Sequence, residues 1–406
     1  MSVTPETLAA NFDLGKLPAD FYADPYPYYA ALQEHEPVKR MPDGSYFLTR
    51  YRDILGVYKD TDACSSDKKV EFKPKYGDSP LYEHHTTSLV FNDPPLHTRV
   101  RRLIFGALTA RAIAELEPGL IALVDRLIAD MAEKRDVDLI EDFASAVPVE
   151  VIGNLLAVPR GERGPLREWS LAILGALEPV VTPAAAERGN RAVTEFIAYL
   201  EGLIEDRRNN PGNPDKDVLT KLIQGDVNGE KLTSKELLHN CIFLLNAGHE
   251  TTTNLIGNGL VALSRFPDQK QRLLGDPGLI KTAIEEVLRF ESSNQLGNRI
   301  TVKPVEIGGV AMPEGTKITV CIGAANRDPR EFPAPDKFDI GRAPNRHLAF
   351  ASGIHQCVGM NLARLEGAVA ISRFLARFPS YELTDAPTGG GRARFRGFLK
   401  VPCRVA

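Results

Sequence analysis

A mainly helical α+β fold, with small β-sheets segregated from the helices, is predicted by three features of this 406-residue sequence. Apolar residues recur at helical spacing through most of the stretch 97–300. Residues of β type gather in two short regions, near 36–50 and 300–322. A last helical pattern, 357–378, follows a glycine-bearing loop and stops at Pro379. Strands kept apart from helices in this way argue against a doubly wound parallel sheet. The whole chain, 1–406, reads as a single domain.

Elements follow in chain order. Tyr26 to Leu32 reads as a short helix with Pro27 near its start, and Val38 to Thr49 as a hairpin turning at Pro42-Asp43-Gly44-Ser45. From Ser65 to Pro95 the composition is polar and loop-like, with Lys68, Lys69, Lys73, Lys75, Gly77 and Pro80. A loop that long is a lid, a binding loop or a solvated surface segment. Leu120, Ile121, Val124, Leu127 and Ile128 form one helical stripe, and Ile197, Leu200, Leu203 and Ile204 another. Proline and glycine break the pattern at 177–183 and 209–214. Thr233 and Glu236 make a capping box for a helix that runs to Phe266, where Pro267 ends it. Glu286 and Arg289 sit one turn apart on a further helix. Short strands are expected at Thr301–Ile307, Val310–Met312 and Lys317–Cys321.

Composition narrows the function classes. Hydrophobic residues are 43% and charged residues 25%, an ordinary globular balance. A net charge of -4 carries no basic signal, so nucleic acid is not an expected partner. Cys64, Cys241, Cys321, Cys357 and Cys403 are scattered and include no CxxC pair, which predicts neither a disulfide framework nor a zinc knuckle. A reducing, cytoplasmic setting is expected. No run of about 18 apolar residues suggests a membrane span. Met1 to Lys16 lacks the basic-then-apolar pattern of a signal peptide.

Two segments carry chemistry. The loop from Phe350 to Gly359 delivers Cys357 to the start of the last helix, where unpaired amides and the helix dipole favour a thiolate. A lone thiolate suits haem iron, whose porphyrin supplies the other ligands, better than zinc, which needs several protein ligands. Taken alone, Cys357 is equally compatible with a buried structural cysteine. The second segment is Asn246 to Asn254, which has no large apolar side chain although it lies in mid-helix. Gly248 costs about 1 kcal/mol relative to alanine there. The three threonines can bond back to helix carbonyls and bend the helix. Something other than packing is expected on that face.

These residues resemble motifs of the cytochrome P-450 superfamily. Phe350, Gly353, His355, Cys357 and Gly359 match its haem-binding signature F-x-x-G-x-H/R-x-C-x-G, and Ala351 departs from it where glycine or serine is usual. Glu250 and Thr251 fall on the acid and alcohol positions of A/G-G-x-D/E-T-T/S. Glu286 and Arg289 resemble E-x-x-R, with Arg342 as its third member.

The resemblance implies the P-450 fold and haem b (iron protoporphyrin IX), with Cys357 on the iron and Phe350 beside the thiolate. It implies propionate contacts from His97, Arg101, Arg299 and His347. It gives Glu250 and Thr251 the supply of protons for heterolytic cleavage of dioxygen. The expected reaction is monooxygenation of a small organic substrate, of hydroxylation or O-dealkylation type. Phe243, Asn246, Ala247, Gln295, Leu296, Phe395 and Arg396 are expected at the substrate, and their polarity suggests a modest aromatic or terpenoid carrying an oxygen function. No flavin or nicotinamide domain fits the remaining length. Electrons are therefore expected from a ferredoxin and its ferredoxin reductase, docking near Arg99, Arg102 and Arg111. Two alternatives stand beside this: a peroxide-driven peroxygenase, against which Glu250 and Thr251 argue, and a non-catalytic haem-binding sensor.

Overall fold

A computed structural model describes residues 4–214, 217–225 and 229–406, so the N-terminal stretch read from Met1 is seen from Thr4 onward. Four long helices organise the chain: Ala110–Lys134, Pro183–Asn209, Ser234–Arg265 and Met360–Arg377. Ser234–Arg265 is the hub, packed against Ala146–Leu155, Leu166–Gly175, Ile280–Phe290 and Met360–Arg377. Its capping box forms as expected. Thr233 Oγ1 accepts from the Glu236 amide at 3.2 Å, and Glu236 returns a carboxylate to the Thr233 amide at 2.8 Å.

This central helix runs without a break through Asn246–Asn254. Part of the answer is packing after all. A Cβ on Gly248 would lie 2.5 Å from Ile152 Cδ1, so the glycine admits the neighbouring helix Ala146–Leu155. Thr251 and Thr253 do bond back, to Ala247 O at 2.6 Å and His249 O at 3.0 Å.

The sheets are small and separate, as expected. The largest orders its strands Val38–Arg40, Tyr46–Leu48, Lys317–Cys321, Leu296–Thr301 and Cys64–Ser65, with only the second and third parallel. Its fourth strand begins at Leu296 and not at Thr301, because Leu296 to Ile300 pairs along the whole of Lys317–Cys321 and buries Leu296 completely. The hairpin at 38–49 forms with the expected turn.

The segment 65–95 is a correction. It folds into helices Lys69–Tyr76 and Pro80–Thr87, the second opened by Ser79, whose hydroxyl accepts from the Tyr82 amide. Lys69, Lys73 and Lys75 stay on the outside, while Lys68, Phe72, Tyr76, Leu81, His84 and His85 turn inward. Tyrosine and histidine do not register as apolar periodicity, so the pattern was hidden. Among the described residues no helix is long and apolar enough to cross a membrane.

Glu286 and Arg289 are both fully buried. The Glu286 carboxylate accepts from Arg289 Nε and Nη2 (2.8 and 2.9 Å), Arg342 Nε (3.2 Å), Asn345 Nδ2 (3.1 Å) and the Asp339 amide (2.9 Å). Arg289 in turn donates to Asn326 O, Pro335 O and Lys337 O. The expected Glu–Arg–Arg network is therefore built, and it pins the segment between residues 326 and 345. Removing one partner strands the other charge in the core, at a cost of about 3–5 kcal/mol. Glu286→Gln should lower the unfolding free energy measured in urea by that amount, and the midpoint with it, whereas Glu115→Gln, in an exposed pair with Arg111, should leave both nearly unchanged. Equal midpoints for both variants would contradict the network's role.

Candidate active site

The cysteine loop is held by its backbone. Gly353 has φ 71°, and a Cβ there would meet Tyr58 O at 2.3 Å, so only glycine lets the loop pass the helix Tyr51–Lys59. Ala351 is left-handed at φ 54°, a conformation that costs a non-glycine residue roughly 1–2 kcal/mol. Glycine would adopt that backbone without the cost. The Cys357 amide donates to Phe350 O at 3.0 Å and closes the loop.

Cys357 is exposed, whereas the other four cysteines are buried. Protein nevertheless surrounds the sulfur, so it faces a recess and not open solvent. Burial pushes its thiol up, while the Gly359 amide and the charges of Arg101 and Arg364 pull it down. The helix proper begins at Met360, with Gly359 as its cap. A Cβ on Gly359 would touch nothing within 4 Å.

The central helix has an open stripe of its own. Ala247 is exposed, and Phe243, Leu244, Gly248 and Thr251 are partly so, in a stretch whose other residues are buried. These positions recur every three to four residues and share one face. Phe243, Ala247 and Thr251 of the expected set lie on it.

Three of the four expected propionate contacts, His97, Arg101 and Arg299, gather near the cysteine loop with His355 of the loop itself. The rings of His97 and His355 are 4.1 Å apart, and His355 Nε2 lies 3.8 Å from Asp93. Arg101 donates to Gln356 O at 2.7 Å. Arg299 is buried over the Tyr58 ring and donates to Asn298 O, and among the described residues no carboxylate lies within 4.0 Å of it. Neither ring nitrogen of His97 has a partner. Burial, with help from His355 and Arg101, pushes His97 down to about 4, so it is neutral. Unpartnered donors and a buried, uncompensated guanidinium fit an anionic group such as a haem propionate.

His347 is a correction. Its Nε2 lies 3.2 Å from Glu285, whose carboxylate also takes a two-pronged contact from Arg364 (2.7 and 2.8 Å). The salt-bridged carboxylate takes up its Nε2. Arg364, which stacks on Phe350 and bears electrostatically on Cys357, was missed by the sequence reading. Its place about one turn into the helix that follows Cys357 was an available signal.

Glu250 and Thr251 are separated. Thr251 is on the open stripe, but Glu250 points off it and is buried, with Oε1 accepting from Arg392 Nη1 at 2.6 Å and Oε2 unpartnered. Burial pushes its carboxyl up to about 7, and Arg392 holds it from rising further. Arg392 also donates to Leu171 O at 3.1 Å. A small cavity lined by Arg167, His249, Glu250, Thr253, Arg392 and Phe395 lies on this side. Nothing in the sequence linked Arg392 to Glu250.

The expected polar lining does not form as read. Gln295 and Leu296 are fully buried, and Gln295 Nε2 donates to Ser292 O at 2.7 Å. Asn246 is buried with its Oδ1 unpartnered. Arg396 is taken up by Glu291, Tyr22 O and Ala23 O, so it ties down the N-terminal segment instead of lining a pocket. The basic face is also neutralised: Arg99, Arg102 and Arg111 pair with Glu236, Glu230 and Glu115.

Because Arg392 stabilises the charged carboxylate, Arg392→Ala should move the Glu250 titration upward from about 7. The carboxyl stretching band, assigned with Glu250→Gln, reads this in an infrared pH titration. An unchanged or lower midpoint would rule the pairing out as the controlling contact.

The family model described as Cytochrome P450 matches residues 170–276 and 278–388. Among curated relatives, a biotin biosynthesis cytochrome P450 of Bacillus subtilis (strain 168) is 35% identical over 90% of this chain and 92% of its own length. A vitamin D(3) 25-hydroxylase of Pseudonocardia autotrophica is 38% identical, covering 89% and 88%. Among solved structures, P450BioI in complex with hexadec-9Z-enoic acid ligated acyl carrier protein superposes with a TM-score of 0.90. It is 34% identical, covering 96% of this chain and 99% of that one.

Proposed function

The chain belongs to the cytochrome P450 family, a haem b oxidoreductase of the monooxygenase kind, and from that premise we propose that Cys357 is the axial ligand to the haem iron. One observation carries the reading: the accessible thiol of Cys357 opens into the recess beside which His97, Arg101, Arg299 and His355 gather, with Asp93 near His355 and, among the described residues, no carboxylate on either arginine. In this reading those four hold the propionates. Gly359 leaves room for the porphyrin face, and Phe350 packs beside the sulfur, braced by Arg364.

When bound, the haem supplies the activation of dioxygen and the transfer of one oxygen atom to substrate. The chain's own residues manage protons and position. Thr251 Oγ1, on the open stripe, accepts a proton from the inner side and passes one outward by rotating away from Ala247 O. Glu250 holds a proton near neutral pH and borders the small cavity that it shares with Arg392, next to Thr251 in the chain. Released from Arg392, its carboxyl can turn and reload the threonine.

The substrate is a small organic molecule, a modest aromatic or terpenoid with an oxygen function, hydroxylated or O-dealkylated. Phe243 and Ala247 supply the apolar contact on the central helix. A ferredoxin and its reductase supply the electrons, and the scattered free thiols fit a reducing cytoplasm. The peroxide-driven reading gains nothing from a buried Glu250–Arg392 pair, since peroxide brings its own protons.

Thr251→Ala should keep substrate binding and reductant consumption but cut product formed per reductant by about tenfold or more. Product and reductant counted in the same assay decide it. A variant whose product yield per reductant equals that of the parent would exclude Thr251 from proton delivery.

A further inference from the structure

Arg394 is half-buried, and its guanidinium touches no carboxylate. Its Nε donates to Leu177 O at 2.9 Å, Nη1 to Leu296 O at 3.1 Å and Nη2 to the Asn298 side-chain oxygen. All three acceptors are neutral. The nearby Glu178 carboxylate is spent on the main-chain amides of Ala393 and Arg394, at 2.8 and 3.1 Å, and does not reach the guanidinium. Among the described residues no carboxylate oxygen lies within 4.0 Å of it.

One further cation and a neutral imidazole stand close by. Lys75 donates to Glu178 O at 3.2 Å and lies over the Tyr76 ring, and burial together with Arg394 brings its amine down to about 8. His85, packed among Phe72, Tyr76 and Phe91, is neutral and keeps an unpartnered Nε2. These groups come from the C-terminal segment and from the two helices that replace the expected loop at 65–95. Leu296 and Asn298, which Arg394 grips, belong to the strand that also carries Arg299.

An arginine keeps its charge at any physiological pH, and holding it partly out of water without a counter-ion is unfavourable. The neutral carbonyls fix its plane but do not discharge it. Three of its five N–H groups are used, which leaves two for an incoming anion. A guanidinium with paired free donors matches a carboxylate. The aromatic corner beside it suits an apolar skeleton attached to that carboxylate, and the few free donors suit one negative charge better than a phosphate.

We propose that Arg394, with Lys75 beside it, binds a carboxylate on the substrate, so that this monooxygenase acts on a carboxylic acid held by its anionic end. The inference rests on the monooxygenase reading and narrows it.

The test uses haem-loaded protein and spectral titration with matched probes: 4-isopropylbenzoate against 4-isopropylbenzamide, and geranate against geraniol. The acids should bind about ten- to a hundredfold more tightly than their neutral counterparts. Arg394→Gln should erase that preference, Arg394→Lys should keep part of it, and the carbon monoxide spectrum of the reduced haem should be the same in all three proteins. Equal affinity for acid and neutral probe, no response to either acid, or a preference that survives Arg394→Gln would each overturn the proposal. Loss of haem or a changed carbon monoxide spectrum in Arg394→Gln would overturn it in favour of a propionate contact. Failure of the parent to form a haem-thiolate carbon monoxide complex would instead sink the reading beneath it.

Discussion

Cys357 owes its position to a carboxylate it never touches. Glu286, fully buried, gathers Arg289, Arg342, Asn345 and the Asp339 amide onto two oxygens. Arg289 carries the constraint to Asn326 O, and the Asn326 side chain carries it to the Leu348 amide at 2.6 Å. From Leu348 the cysteine loop follows, with Ala351 bonded back to Leu348 and Cys357 bonded back to Phe350. A left-handed alanine and a glycine pressed on Tyr58 O are tolerated because both ends of the loop are fixed. Strain of this kind persists only where the surroundings over-determine the backbone.

The central helix answers two demands that pull apart. Most of its length is buried and must pack, and Gly248 serves that end by admitting Ile152. One stripe through Ala247 and Thr251 is left open, and the chemistry belongs there. Glu250 adjoins the stripe without being on it. Consecutive helix residues point about 100° apart, so an acid next to an alcohol in sequence faces a different compartment. The acid therefore sits off the open stripe, against a small cavity, with Arg392 setting how readily it gives up its charge.

How much of this was legible depended on whether the signal was local. The capping box at Thr233, the stop at Pro267, the hairpin at 38–49 and the Cys357 loop rest on residues a few positions apart, and the sequence displays them directly. The helices at 69–87 were obscured because their buried faces are tyrosine, histidine and phenylalanine among lysines. Contacts between distant segments left no trace: Arg392 on Glu250, Glu285 on His347, and Arg396 on the N-terminal segment all join residues far apart in the chain. Each redirected a side chain whose type suited the role first read for it. Arg394 and Arg396 are alike in sequence and differ only in whether a carboxylate found them.

The central claim is a sulfur–iron bond from Cys357, and the carbon monoxide difference spectrum of the reduced, haem-loaded protein tests it most directly. The account predicts the thiolate-type band in the parent and its replacement by a nitrogen-ligand band in Cys357→His, with haem still bound. A parent without the thiolate band, or a Cys357→His variant that keeps it, would contradict the account.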